Sequence, residues 1–225
     1  MTSRLEELRN QHVFYFPNTG NGGDGFIAYA YDTIVANLDG NEGIILPHTI
    51  KGYADLFDRT NVEIFLRDPV SYSAVKDNST NSRQCVYLAH DMTFYLPKDY
   101  FQAFWQRGDG VFYCFRQDEE RDTDLWVDGN QDISLSWNGS WWTNERLCRA
   151  STESMAASLS PSSIVATDRL HVAILASFLG KRVYMTANNY YKNEAIYWHS
   201  LSRIFANTSF HKSRQEVMKA IINGA

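Results

Sequence analysis

Residues 164–180 read IVATDRLHVAILASFLG, which is a β-branched run, a short polar turn and a long apolar run that ends at glycine. This pattern predicts a strand at 164–166 and a helix from Leu170 to Leu179. Arg169 and His171 then stand at the helix start, where unpaired backbone N–H groups attract anions. A guanidinium binds phosphate or carboxylate through paired donors, and an imidazole can move a proton near neutral pH. The stretch favours chemistry on an anionic small molecule if Arg169 lies in the turn before the helix, because positions two apart do not share a helix face.

The same alternation extends along the chain. Further strands are predicted at 13–16, 44–46, 62–66, 85–88, 111–115, 133–136 and 183–185, and helices at 26–38, 69–75, 143–159, 194–202 and from the capping box at Ser213 and Glu216 to Ile222. Strands that alternate with helices indicate an α/β fold with mostly parallel sheets. Because the pattern occurs twice, with a break at 108–110, we predict two Rossmann-like lobes, 1–105 and 106–225.

The composition of the chain limits the kinds of partner and the cellular location that we expect. The 225 residues carry 26 acidic and 21 basic side chains, a net charge of −5, which argues against a nucleic-acid partner but allows a local basic pocket. Three widely spaced cysteines are typical of reduced core residues. The first residues lack the apolar core of a signal peptide, and no apolar run is long enough for an integral membrane segment. We therefore expect a cytoplasmic protein, either free or peripheral at the inner face of the membrane.

Other polar segments follow predicted strands, at the edge where parallel sheets bind ligands. Arg116 follows the strand at 111–115, and the loop at 186–193 carries Asn188 and Lys192. The glycine-rich loop 17–25 lacks the Lys-Ser/Thr of a P-loop, and Asp24 in it either caps a helix or accepts a proton from a substrate hydroxyl. Ordinary structural roles remain open for all of these residues: a tight turn, a salt-bridged arginine, a surface lysine, and in the 167–171 stretch a capping Asp168 and a core histidine.

Taken in order, these segments resemble the polysaccharide pyruvyl transferase family. The strongest match runs from Thr167 to His171 and continues through 174–183 into 188–193, where the chain departs from the family pattern at Ala187 and Tyr191. Counterparts upstream are the Asn21-Gly22-Gly23-Asp24 loop, Leu46-Pro47-His48-Thr49-Ile50, Arg67-Asp68 with Ser71, His90-Asp91-Met92, and Arg116 to Glu120.

The resemblance implies a two-lobed fold similar to the GT-B glycosyltransferases. It also implies transfer of pyruvate from phosphoenolpyruvate, as a ketal, to a sugar of a surface polysaccharide or of its lipid-linked precursor. No metal and no cofactor beyond the co-substrate is expected. Two alternatives stay open: a nucleotide-sugar-dependent glycosyltransferase with a GT-B fold, and a non-catalytic glycan-binding relative.

The resemblance implies which residues face the donor and which loop lies on the other lobe, and the chemistry of the side chains suggests the further roles. Arg116, Arg169 and His171 are expected to face the donor, and His171 is the candidate general acid or base. Lys192 and Asn188 are further donor-binding candidates. The acceptor side is expected to hold Asn21, Gly23, Asp24 and Arg67, with Asp24 orienting or deprotonating the acceptor hydroxyl.

Overall fold

The structure, a computed structural model, describes residues 43–48, 62–78, 85–121, 123, 125–137 and 144–224. Of these, the residues up to Leu96 belong to one compact unit and those from Pro97 to another. Every strand pair in both units is parallel, which confirms the α/β class and the parallel sheets. The division into Rossmann-like lobes at 105/106 and the GT-B-like arrangement stay predictions.

The first unit holds a three-stranded sheet in the order β1 (Gly43–His48), β2 (Val62–Leu66) and β3 (Cys85–Leu88). Helix α1 (Pro69–Asn78) follows β2. It starts there because the Asp68 carboxylate accepts hydrogen bonds from the backbone N–H and the hydroxyl of Ser71, both at 2.8 Å, which satisfies a first-turn donor. The family-like Arg-Asp-x-x-Ser segment therefore contains a helix cap.

The second unit holds a four-stranded sheet in the order β4 (Val111–Cys114), β5 (Ile164–Thr167), β6 (Arg182–Thr186) and β7 (Thr208–His211). Its helices are α2 (Glu145–Leu159), α3 (Leu170–Phe178), α4 (Lys192–Ile196) and α5 (Arg214–Gly224). A π-helical turn (Tyr197–Leu201) and a short helical turn (Ser202–Ile204) continue α4. Because neighbouring strands are parallel, the carboxyl ends of β4, β5 and β6 lie along one edge.

Helices cover both faces of this sheet. Val217 and Ile221 of α5 pack against Phe115 and Ala166. Val165, one position from Ala166 and so on the opposite face, is fully buried too, and α3 packs on β5 and β6. Helix α3 is apolar around almost its whole circumference, as expected for a helix inside the fold.

Some sequence predictions differ from the structure. The strand predicted at 133–136 is wrong, because Ile133–Ser136 forms a 3₁₀ helix. Beside the end of β4, the Asn130 side chain bonds to both the N–H and the C=O of Phe115, at 2.7 and 3.0 Å, and so takes the place that a strand partner would occupy. Strand β7 was not predicted, and neither were the 3₁₀ helices Met92–Tyr95 and Gln102–Phe104. The strand predicted at 13–16 and the helix at 26–38 lie outside the described residues.

Within the described ranges, no helix has both the length and the apolarity needed to cross a bilayer.

Candidate functional site

The turn from β5 into α3 places Arg169 before the helix begins. The hydroxyl of Thr167 donates to the carbonyl of Cys114 at 2.6 Å and accepts from the N–H of Arg169 at 2.9 Å. Arg169 is the N-cap residue, with an extended backbone (φ −88°, ψ 110°). The sequence analysis required Arg169 to lie in the turn before the helix, and the structure places it there. His171 is the second residue of α3 and is partly exposed.

The guanidinium of Arg169 is buried and lies between two carboxylates. Its Nε and Nη2 donate to the two oxygens of Asp132 at 2.9 and 2.5 Å. Its Nη1 lies 2.8 Å from Oδ2 of Asp118, but the N–H groups are not aligned for a hydrogen bond. Burial would lower the pKa of Arg169, and the two carboxylates more than offset this, so that the pKa is raised.

Arg116 binds the same carboxylate from the end of β4. Its Nε and Nη2 donate to the two oxygens of Asp118 at 2.8 and 3.0 Å, and Nη2 also lies 2.8 Å from a carboxylate oxygen of Glu120. Burial alone would raise the pKa of Asp118, but Arg116 and Arg169 hold it at about 2. Two guanidiniums from neighbouring strand ends thus share one carboxylate.

Lys192 joins this cluster from the first position of α4. Its Nζ lies 3.4 Å from a carboxylate oxygen of Glu120 and 4.9 Å from the centre of the Tyr190 ring. Asn189 links the loop after β6 to the loop that carries Glu120, because its backbone N–H donates to the carbonyl of Glu120 at 3.2 Å and its side chain to that of Glu119 at 3.1 Å. The structure therefore brings together three of the predicted donor-binding residues, Arg116, Arg169 and Lys192.

Asp168 connects the elements that carry the residues of the cluster. Its fully buried carboxylate accepts from the backbone N–H of Arg116 at 2.7 Å and from Nη2 of Arg214 at 2.8 Å. Arg214 also donates to the carbonyls of Arg116 and Leu125, at 2.9 and 3.1 Å. Burial raises the pKa of Asp168, although Arg214 and the N–H of Arg116 oppose the shift. The alternative interpretation of Asp168 as a helix cap is wrong, because its side chain joins β4, β5 and α5 instead.

The end of β6 carries polar atoms without partners. Asn188 is 4% exposed, and neither its Nδ2 nor its Oδ1 has a hydrogen bond within the described part of the chain. The Oγ1 of Thr186 and the Oδ1 of Asn193 are likewise buried and unbonded there. Asn193 lies next to the turn that carries Arg169, because its Nδ2 donates to the carbonyl of Asp168 at 2.7 Å. Buried polar groups nearly always have a partner, so this cluster indicates a place for a ligand or an ordered water.

Arg67 serves a contact inside the first unit. Its Nη1 donates to Oδ2 of Asp91 at 2.5 Å, and both side chains are buried. The other oxygen of Asp91 accepts from the N–H and the hydroxyl of Thr93, which starts the 3₁₀ helix Met92–Tyr95. Asn21, Gly23 and Asp24 lie outside the described residues, so their acceptor-side roles stay predictions.

Sequence reasoning missed four polar residues around the cluster. Asp132 precedes an apolar run that looked like a strand, and Arg214 looked like an ordinary first residue of a helix. Thr186 ends β6. Asn193 is next to the predicted Lys192 in the family-like segment, and this position could have identified Asn193 from the sequence. The four are Asp132, Thr186, Asn193 and Arg214. In the ranges that the structure describes, no three His, Cys, Asp or Glu side chains are grouped to hold a metal ion.

Comparison with known proteins places this geometry in context. The family model for polysaccharide pyruvyl transferase matches residues 17–190. A crystal structure of a functionally uncharacterized protein from Klebsiella pneumoniae subsp. pneumoniae is similar, with a TM-score of 0.80 and 32% sequence identity over 94% of this chain and 97% of that one. A search of curated proteins found no match. The family match includes Arg116, Arg169 and Asn188, and it ends two residues before Lys192.

Proposed function

The chain belongs to the polysaccharide pyruvyl transferase family, and we propose that it transfers pyruvate from phosphoenolpyruvate to a pair of saccharide hydroxyls as a ketal. The observation that carries the proposal is the sharing of Asp118 by Arg116 and Arg169. Phosphoenolpyruvate bears a carboxylate and a phosphate, and both groups match the paired donors of a guanidinium. Two guanidiniums fixed at the ligand-binding edge of a parallel sheet are suited to this donor.

Other residues of the cluster complete the donor site in this proposal. Lys192 adds a point charge for a phosphate oxygen, as lysines do in many phosphate sites. Asn188 supplies an amide that makes no hydrogen bond to any residue that the structure describes. Its burial makes each new bond to a ligand worth more than it would be at the surface.

The reaction needs one proton transfer to carbon and two attacks by oxygen. His171, as general acid, gives a proton to the methylene carbon of the donor, which becomes a methyl group, and the adjacent carbon gains cation-like character. One sugar hydroxyl attacks that carbon, phosphate leaves, and the second hydroxyl replaces it to close the ketal ring. The two hydroxyl protons return to the imidazole and to the released phosphate. A positioned acid or base of this kind is worth about two to four decades of rate.

The acceptor in this proposal is a sugar of a surface polysaccharide or of its lipid-linked precursor. Asp24 is assigned to orient or deprotonate the first hydroxyl. Arg67 is assigned to the acceptor side. Its buried ion pair with Asp91 holds the end of β2 in place. No metal and no further cofactor is assigned to the reaction.

Phosphate release and proton NMR test the proposal directly. Purified protein is incubated with phosphoenolpyruvate and with the surface polysaccharide of a strain that lacks this protein. We expect release of phosphate together with a new methyl signal of a pyruvate ketal. A matched incubation with nucleotide sugars, followed by thermal unfolding, distinguishes the alternative, because only a bound ligand raises the apparent stability. Stabilisation by nucleotide sugars alone, without ketal formation, would contradict the proposal.

A further inference from the structure

We infer that the anionic donor binds Arg116 and Arg169 by displacing the carboxylate of Asp118, so that segment 118–120 leaves the site when the donor arrives. This inference rests on the proposed function, because phosphoenolpyruvate is the anion assigned to the two arginines. It adds a residue with a different role from theirs: Asp118 occupies the position of the donor in the free protein.

Before any ligand binds, the charges of the cation cluster balance among the residues that the structure describes. Its ion pairs have N···O distances between 2.5 and 3.4 Å. A carboxylate and a phosphate added to a neutral and mostly buried cluster would place uncompensated negative charge away from water, which is costly. One of the protein's own carboxylates must therefore leave. The members of the cluster among the described residues are three cations and three carboxylates: Arg116, Arg169, Lys192, Asp118, Glu120 and Asp132.

The burial of the three carboxylates decides which of them leaves. The side chain of Asp132 is 2% exposed, bonds twice to Arg169 and also accepts the N–H of Gln117 at 3.0 Å. The side chains of Asp118 and Glu120 are 30% and 35% exposed. Both side chains already reach water, so they can turn outward at a lower cost than the buried Asp132 carboxylate, and water screens their ion pairs in part. Asp132 stays, and Asp118 with Glu120 is displaced.

The contacts of Asp118 are those of a ligand carboxylate held imperfectly. One oxygen lies 2.8 Å from Nε of Arg116, and the other lies 3.0 Å from its Nη2 and 2.8 Å from Nη1 of Arg169. Asp118 is tethered only two residues after Arg116, and the N–H groups of Arg169 Nη1 remain buried without an aligned acceptor. A donor free to orient in the site can supply that acceptor. The exchange therefore gains a hydrogen bond that Asp118 does not make.

Calorimetric titration with phosphoenolpyruvate, without acceptor, tests the exchange. Asp118→Asn removes the competing charge and keeps the shape of the side chain. We expect its Kd to fall by about tenfold or more, which corresponds to roughly 1.4 kcal/mol. Glu119→Gln is the matched control, because it removes one charge from an exposed neighbour in the same loop, and we expect its Kd to stay within about twofold of wild type.

Hydrogen exchange on the wild-type protein gives an independent readout. The N–H of Asn189 donates to the carbonyl of Glu120 at 3.2 Å and so joins segment 118–120 to the segment after β6. Departure of segment 118–120 breaks this bond, so saturating phosphoenolpyruvate should speed exchange at the Asn189 amide. Slower exchange there would overturn the inference, since it would mean that the donor orders the segment in place.

The outcomes separate this inference from the proposed function. If wild type binds phosphoenolpyruvate and Asp118→Asn binds it equally or more weakly, the exchange is wrong and the proposed function stands. If no variant binds phosphoenolpyruvate, the proposed function fails, and titration with inorganic phosphate decides the exchange. Tighter binding of phosphate by Asp118→Asn then supports the inference, whereas equal, weaker or absent binding overturns it.

Discussion

Arg169 and Asp132 form a two-point pair, in which Nε and Nη2 of the guanidinium donate to the two oxygens of one carboxylate at 2.9 and 2.5 Å. The pair fixes the plane of the guanidinium and directs its third nitrogen, Nη1, toward Asp118. Asp132 precedes the 3₁₀ helix Ile133–Ser136 and is almost fully shielded from solvent. It is therefore a positioning residue for Arg169, and the proposed donor contact depends on it.

Asp132→Asn should lower kcat/KM for phosphate release by about hundredfold, because an amide holds the guanidinium with one acceptor instead of two and the group turns away from the donor. Removing one charge from a buried pair should also cost on the order of 3 kcal/mol of unfolding free energy. Steady-state kinetics and urea unfolding measure the two effects. Asp128→Asn is the control, because the Asp128 carboxylate accepts a hydrogen bond from the exposed indole of Trp126 on the same loop, and its loss should change neither value much. Wild-type kcat/KM in Asp132→Asn would contradict the positioning role.

His171→Gln should lower kcat by about two to four decades while the Kd of phosphoenolpyruvate changes little. Glutamine keeps a polar side chain at the second position of α3 but cannot exchange a proton near neutral pH. Single-turnover kinetics gives the rate, and calorimetry gives the Kd. His199→Gln, in the π-helical turn after α4, is the matched control and should retain wild-type turnover. If the mutant at 171 loses donor affinity and keeps its rate constant, His171 is a binding group and the proton comes from elsewhere.

Asn188→Leu should leave the unfolding free energy unchanged or raise it, since the buried amide makes no hydrogen bond with the described part of the chain that the substitution could break. The same change should weaken phosphoenolpyruvate binding by about tenfold, because a hydrogen bond from a buried amide to an anion is lost. A side chain that costs stability and contributes binding is the mark of a functional position. Urea unfolding and calorimetry measure the two quantities.

Asn193→Leu provides the contrast for this experiment. Its Nδ2 donates to the carbonyls of Asp168 and Thr186, at 2.7 and 3.0 Å, and the substitution removes both of these buried hydrogen bonds. We expect a loss of roughly 2 kcal/mol or more in unfolding free energy. If Asn188→Leu is destabilised as strongly as Asn193→Leu, then the Asn188 amide is bonded in the free protein and its assignment to the donor fails.

The sequence predicted the elements that carry strong local patterns. Strands β4 to β6 and helix α3 were predicted within one or two residues, because apolar runs bounded by glycine or polar turns leave little choice of structure. Position after a strand was enough to single out Arg116, Arg169 and Lys192, which the structure brings into one cluster. The segment at 133–136 failed because its apolar residues fit a strand locally, while the Asn130 side chain occupies the edge of β4 that a strand would need.

The ion-pair partners of Arg169 and Arg214 could not be predicted from a single sequence. Arg169 pairs with Asp132, 37 residues away, and Arg214 pairs with Asp168, 46 residues away. To predict which acid pairs with which base, one must know the register of the sheet and the path of the loops. Local sequence spacing gives neither of these. An arginine proposed to bind a donor, such as Arg169, and an arginine that stabilises the fold, such as Arg214, therefore look alike in sequence.

Acid titration of stability tests the hold of the arginines on Asp118. The pKa of this carboxyl is lowered from 3.8 to about 2: burial would raise it, and the hydrogen bonds of Arg116 together with the charges of Arg169 and Arg116 outweigh the burial. An acid whose pKa falls on folding stabilises the folded state above its unfolded pKa, and the stabilisation is lost as the pH falls through the folded pKa. Wild type should therefore lose unfolding free energy between about pH 4 and pH 2, and Asp118→Asn should lose less over this window. The effect is moderate, because the side chain is 30% exposed and water screens the pair.

Urea midpoints at about pH 5 and about pH 3 for wild type, Asp118→Asn and the control Glu119→Gln measure it. Parallel curves for wild type and Asp118→Asn would mean that the arginines do not hold this carboxylate in solution, and the displacement inferred for the donor would then have nothing to displace.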